Sequence, residues 1–430
     1  MPETTQPQPD AAALAFHPLT FVSEPDGVLV GRPDTESYAV LPADGAELLR
    51  RLAGGVPLAE AASWYRATYA EPVDMADFVT VLRDLGFVRD DGEAAAAPPR
   101  VRYQRLGALA FSPPLWACYL GIIVAAALAM ARYPQLRPAP GNVFFVRSLV
   151  IVQIGVFASQ LPALAWHEWF HVLAGRRLGL PTRLTVGRRL FFTVFETHLN
   201  GLLGVPRSRR YLPFLAGLLA DLVLFSGLTL AAAADRPAAL SWPGRLALTV
   251  GYVTLLRMAW QLCAFLRTDS YYVLTTALGC TDLAGAAAAF LRSRLSPRER
   301  PGPRDRLALR DRFSLRGRLS LRGGRPWPAP PGTEFSPRDR ALAPWFALLT
   351  VAGVTSLFVL AGIAVLPAVI ELVTRWGPGF SRGTVTSARF WDSAGSVALT
   401  LVQIGLLPLI VGRRARSRRP ATSPTIGALQ

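Results

Sequence analysis

The run Leu149–Trp166, LVIVQIGVFASQLPALAW, carries no charge and leads directly into His167-Glu168-Trp169-Phe170-His171. A helix needs about 20 mainly apolar residues to cross a hydrocarbon core, and this run meets that length. Ionisable residues at the end of such a run are expensive to place, which marks them as functional candidates. Pro162 lies inside the run and is a candidate kink.

Working outward, the sequence holds similar runs at Leu115–Ala131, Leu212–Ala234, Leu246–Leu266, Ala343–Val369 and Ser396–Val411. With Ser148–Trp166 they make about six expected spans. The fifth is long enough to tilt or to end in an interfacial segment. Residues 272–291 are moderately apolar and are expected to form a further interfacial or buried helix. The chain is 51% hydrophobic and 17% charged. An ordinary soluble protein is about 25% charged, so this composition excludes a chain that is disordered throughout. The expected fold is mainly α: a polytopic helical membrane protein with a small N-terminal α+β domain. Length alone would suggest two or three soluble domains.

The formal charge is +17, and all 46 basic residues are arginine. Such a balance invites a nucleic-acid partner until its distribution is read. Residues 1–91 hold 15 acidic residues and 6 Arg, a net of −9, which leaves +26 for the rest. Residues 292–325 hold 12 Arg and three acids, and the tail Arg413–Arg419 adds five Arg. Positive charge therefore gathers beside apolar runs, as in basic cytoplasmic loops that touch anionic lipid. With the N-terminus in the cytoplasm, six spans place 176–211, 267–341 and 412–430 on the same side, which obeys the positive-inside rule. The Arg-rich stretch has no aromatic interleaving beyond Phe313, so no nucleic-acid partner is expected. Three cysteines, Cys118, Cys263 and Cys280, form no disulfide framework and no CxxC pattern. The first 20 residues show no basic start and no long apolar core, and 1–15 are expected to be a disordered leader.

Residues 16–92 read as a compact module. Gly27–Arg32 and Ser37–Leu41 look like a hairpin with Asp34 in its turn. Asp44 is placed to cap a helix that ends at Gly54-Gly55. A second helix falls near Leu58–Tyr69, a third follows Asp74 and stops at Gly86, and Phe87-Val88 reads as a short strand. The order β-β-α-α-α-β predicts a winged-helix-like domain. Its acidity disfavours DNA. Residues 93–112 read as an Ala/Pro-rich linker, 113–292 as the membrane core, 293–341 as the Arg-rich loop, 342–412 as C-terminal membrane helices and 413–430 as a basic tail.

The chemistry centres on HExxH. Two histidines four apart project from one helix face and can share one Zn²⁺, and Glu168 beside them can serve as general base. The chain has four histidines, and two stand here. A catalytic zinc needs a third protein ligand and one open position. Asp269, in Phe265-Leu266-Arg267-Thr268-Asp269-Ser270-Tyr271-Tyr272, is the best candidate, because span counting puts it at the depth of His167 and His171. Asp221 lies inside the third run, where a polar helix-packing role is preferred to ligation. His198 lies in 183–204, a segment that alternates enough to be a re-entrant β-hairpin presenting substrate as an added strand. A polar loop role is preferred for it, and His17 is expected to be solvated.

HExxH on a membrane helix, followed about 100 residues later by an Asp near a span end, resembles the site-2 protease family of intramembrane zinc metalloproteases. Phe265–Leu274 resembles the peptide-maturation branch of that family, whose usual form is FLRTDGYYVL; Ser270 here stands in place of its Gly. The resemblance covers roughly residues 145–295. It implies His167, His171 and Asp269 as zinc ligands and Glu168 as catalytic base, and it sets Asp221 at the family's structural GPxxN/D position, without the Pro. The N-terminal module resembles PqqD-like domains, which recognise leader peptides of ribosomally made, modified peptides by strand addition.

The function these resemblances imply is hydrolysis of a peptide bond in a ribosomally made precursor (leader) peptide of a natural-product pathway, such as a daptide-like one. The expected setting is a bacterial cytoplasmic membrane with both termini inside, and other biosynthetic enzymes are expected as partners. The absence of Lys beside abundant Ala, Arg, Gly and Pro points to a GC-rich bacterium. The rival readings are a regulated intramembrane protease of a membrane-bound signalling factor, and a non-enzymatic scaffold, export or immunity protein with a vestigial metal site.

Overall fold

The computed structural model describes residues 14–416, except 26, 91–92, 94–100, 190–191, 200, 236, 296–334 and 382. Over 183–199, at 295 and over 404–416 it describes the backbone alone. The expected leader, Arg-rich loop and basic tail thus fall mostly outside the described residues.

The module opens with three antiparallel strands, β1 (Thr20–Glu24), β2 (Gly27–Arg32) and β3 (Ser37–Leu41), in the order β1-β2-β3. Val28 pairs with Leu41 and Thr20 with Gly31. Three helices follow: α1 (Ala43–Ala53), α2 (Leu58–Tyr69) and α3 (Met75–Asp84). Alternate strand residues Val28 and Val30 meet Ala46, Leu49, Leu82 and Phe87 in one core. The expected order changes at both ends. The additional first strand β1 was not read, and Phe87-Val88 makes only a single bridge, from Val88 to Phe16. Two residues of pairing are too few to form a ladder of their own. Asp74 caps α3 through Ala76 N–H and Asp77 N–H, whereas Asp44 sits one residue inside α1 and accepts the Tyr65 hydroxyl.

The body is mainly helical: α4 (Gln104–Ala110), α5 (Pro113–Arg132), α6 (Leu149–Arg177), the strands β4 (Thr182–Arg189) and β5 (Phe192–Leu199), α7 (Arg207–Ala234), α8 (Trp242–Gln261), α9 (Asp269–Leu278), α10 (Leu283–Leu295), α11 (Pro337–Ala364), α12 (Leu366–Ser381) and α13 (Ala388–Arg416). α4 falls inside the stretch expected to be linker and packs on α6.

Among the described residues, four helices are long and apolar enough to cross a membrane: α5, α6, α7 and α11. The pair α9–α10, bent by 90°, makes a fifth if counted as one broken span. Six were expected. α8 has 20 residues but carries Arg245, Arg257 and Gln261, which lower its apolarity. The end of the sixth expected run has no described side chains. The long fifth run divides at Val365 into α11 and α12.

α6 is the continuous form of the opening stretch. Ser148 caps its start by accepting Ile151 N–H. Its end is a Schellman stop: Gly179, at φ 76°, donates to Arg176 O, and Leu180 donates to Gly175 O. The helix runs 29 residues through Pro162, so HExxH lies within it and not beyond its end. α7 packs against α5, α6, α8 and α9. Its buried face toward α6 holds small residues, Ala216, Gly217 and Ala220, and small residues let membrane helices approach closely. Phe170, inside the motif, packs on Ala216 and Ala220.

Candidate metal centre

The helical period puts His167 and His171 on one face of α6, and both are buried. Asp269 reaches them because α8 returns alongside α7. The turn after α8 is fixed by the Thr268 hydroxyl, which donates to Gln261 O at 2.8 Å and Cys263 O at 3.2 Å. Arg267 takes a positive φ of 56°, and Asp269 then begins α9. Ser270 is helical, a backbone conformation that does not require glycine.

Asp269 Oδ2 lies 3.4 Å from His167 Nε2 and 3.2 Å from His171 Nε2, and the two Nε2 atoms are 3.2 Å apart. The far nitrogens are occupied. His167 Nδ1 meets Asp221 Oδ2 at 3.0 Å, and His171 Nδ1 meets Pro213 O at 2.7 Å. A carboxylate and a carbonyl only accept, so each Nδ1 carries a proton, and in the neutral imidazole each Nε2 then presents a lone pair inward. Asp269 Oδ2 is itself buried, with no hydrogen-bond partner among the described residues. With both rings neutral, three lone-pair atoms converge, an arrangement that a proton or a metal ion would relieve.

The spacing fits zinc. Tetrahedral Zn–N and Zn–O bonds of about 2.0–2.2 Å give ligand-to-ligand edges of about 3.3–3.6 Å, and the three edges here lie near the short end of that range. His₂–carboxylate is a ligand set found at catalytic zinc and at other divalent metals. The structure therefore brings His167, His171 and Asp269 together as a group able to hold a metal ion. Gly217 closes one side: a Cβ there would come within 2.4 Å of both Nε2 atoms. Glu168 is buried in the same turn of α6.

Asp221 is not a member of the group. It lies behind His167, with both its oxygens taken by Arg257 of α8. This is more than the packing role expected of it, and Arg257 was missed altogether. The signal was present, because an Arg inside the run 246–266 is costly in a membrane helix. His198 lies on β5 opposite Arg183, with its side chain outside the described residues. The expected hairpin over 183–204 is present as β4–β5, packed against α6. His17 is buried, not solvated, and its Nε2 lies 3.2 Å from Glu93.

Comparisons with known protein families, with curated proteins and with solved structures return no match to this chain.

Proposed function

We propose that the chain is a membrane-embedded zinc metalloendopeptidase that hydrolyses a peptide bond in a ribosomally made precursor peptide. The carrying observation is the convergence of three metal-ligating atoms at 3.2–3.4 Å, with both outer imidazole nitrogens already bonded. His167, His171 and Asp269 hold the metal. Zinc there supplies Lewis acidity, polarising a carbonyl and easing the ionisation of water. The Glu168 carboxylate takes a proton from the attacking water and delivers it to the leaving amide nitrogen as the C–N bond breaks. The products are a carboxylate and an amine, and no acyl-enzyme is needed. Asp221 and Pro213 O keep the two imidazoles in the tautomer that faces the metal.

The module at 16–92 grips the leader as an added strand, a reading supported by the antiparallel sheet with β1 and β3 at its edges. The arginine distribution supports a bacterial cytoplasmic membrane with both termini inside.

The test uses purified full-length protein and a short peptide encoded beside the gene. Wild type should carry one zinc and cut the peptide. Glu168→Gln should keep the zinc and lose at least 100-fold in rate, the order expected for a general base. His167→Ala should lose the metal. A wild type that binds no zinc, with His167→Ala unchanged in every readout, would sink the reading in favour of a scaffold.

A further inference from the structure

Arg257 stands in α8 amid apolar residues, with its side chain 16% exposed. A charge so placed is retained only against a specific partner. Its Nε donates to Asp221 Oδ2 at 3.1 Å and its Nη2 to Asp221 Oδ1. This is the fork-on-carboxylate geometry that only arginine makes. Nη1 donates to Gln160 Oε1 at 3.3 Å and Nη2 to Ala163 O at 3.4 Å. Both acceptors belong to α6, seven and four residues before His167. Asp221 is fully buried, and the same Oδ2 that takes Arg257 Nε also takes His167 Nδ1.

We propose that Arg257 is a positioning residue for the metal centre, holding Asp221 in the plane and orientation that fix the His167 ring. The inference rests on the metallopeptidase reading above. One guanidinium joins α8 to the carboxylate of α7 and to the backbone of the histidine helix, so the imidazole is held from both neighbours. It also offsets the Asp221 charge, which leaves Asp269 as the ligand that brings negative charge to the metal. Lysine keeps the charge but cannot make the paired bonds.

The experiment titrates full-length, chelator-stripped protein with Zn²⁺ and Co²⁺. The variants are Arg257→Lys, Asp221→Asn and the double Asp221→Asn/Arg257→Lys, with Arg245→Lys as control. Arg245 lies on the same helix and bonds Leu240 O in place of the site. Arg257→Lys and Asp221→Asn should each weaken metal binding by about tenfold or more, the usual effect of losing a ligand's outer partner. The double variant should bind no more weakly than Asp221→Asn. The visible Co²⁺ band, which reports ligand geometry, should shift in Arg257→Lys and stay at its wild-type position in Arg245→Lys.

Wild-type affinity in Arg257→Lys overturns the inference, as does a loss that adds in full to that of Asp221→Asn. If Arg257→Lys folds poorly, Asp221→Asn/Arg257→Gln removes both charges together. Binding as weak as Asp221→Asn then supports the relay, and wild-type binding overturns it. A wild type that takes up neither ion overturns the metal centre itself, an outcome distinct from failure of the relay alone.

Discussion

At Gly217 a hydrogen atom is all that separates the α7 backbone from the two inward imidazole nitrogens. Alanine would place a methyl within 2.4 Å of atoms that belong to a ring pair anchored on its far side. Neither ring can retreat, because its Nδ1 is bonded behind it. Gly217→Ala should therefore empty the metal site and destabilise the protein by about 1–3 kcal/mol, the usual cost of overpacking. Zinc content and thermal unfolding in detergent measure both effects, and full zinc retention would contradict the geometry. At this scale the sequence was legible where a motif has fixed spacing. The pairing of His167 with His171 follows from helical periodicity, and their meeting with Asp269 followed from span depth and the resemblance. Gly217 was not legible, and Arg257 was marked only by its cost inside an apolar run, because what each does emerges only after α6, α7 and α8 have met. No spacing along the chain encodes that meeting.

Elements are held at their ends as much as along their faces. The start of α6 is capped twice, once by its own Ser148 and once by Asp392 of α13. The Asp392 carboxylate accepts Leu149 N–H at 2.8 Å, Val150 N–H at 3.2 Å and the Ser148 hydroxyl. Two of the four orphan amides of that helix end are thereby satisfied by a residue more than 240 positions away. Removing this carboxylate should cost about 1–2 kcal/mol, as for other N-caps aided by the helix dipole. Hydrogen exchange in Asp392→Ala should quicken at residues 149–152 and leave α7 unchanged; unchanged exchange at 149–152 would show that Ser148 alone suffices. Helix positions were legible from apolar runs and caps, as Asp74 shows for α3. Span number was less so, since α8 retraces α7 while carrying polar residues that pair inward. β1 escaped notice because its side chains gain burial only once β2 lies beside it.

Over the whole molecule, the split of charge into −9 and +26 has a structural counterpart. Glu24, at the end of β1, lies 2.8 Å from Arg210 Nη2 and 3.4 Å from Arg207 Nε, at the start of α7. Arg210 also donates to Leu203 O and Val205 O, and Arg207 to Thr276 O and Ala277 O near the end of α9. One acidic residue of the module thus meets α7, the helix of Gly217, and one of its two partners, Arg207, is itself bonded to α9, the helix of Asp269. The pairs are largely buried, so losing Glu24 strands two cations. Glu24→Gln should release the module, seen as faster hydrogen exchange in β1 and in 201–205. Metal content should stay at the wild-type level. Exchange unchanged in both places would mean that apolar contact alone holds the module. The sequence showed the opposite charges of the two parts, but not which residues meet across them.

Docking of this kind alters what the intervening chain does. A free tether sets how often its two ends meet, through an effective concentration that falls as it lengthens. Once Glu24 is clasped, the segment between α3 and α4 becomes a closed loop whose ends are set elsewhere. Doubling its length would then cost only about 0.6 kcal/mol of closure entropy. Under the proposed function, a peptide held on the module would meet the body at a fixed offset and angle, so the chain between its grip and its cut would be measured in residues, as along a ruler.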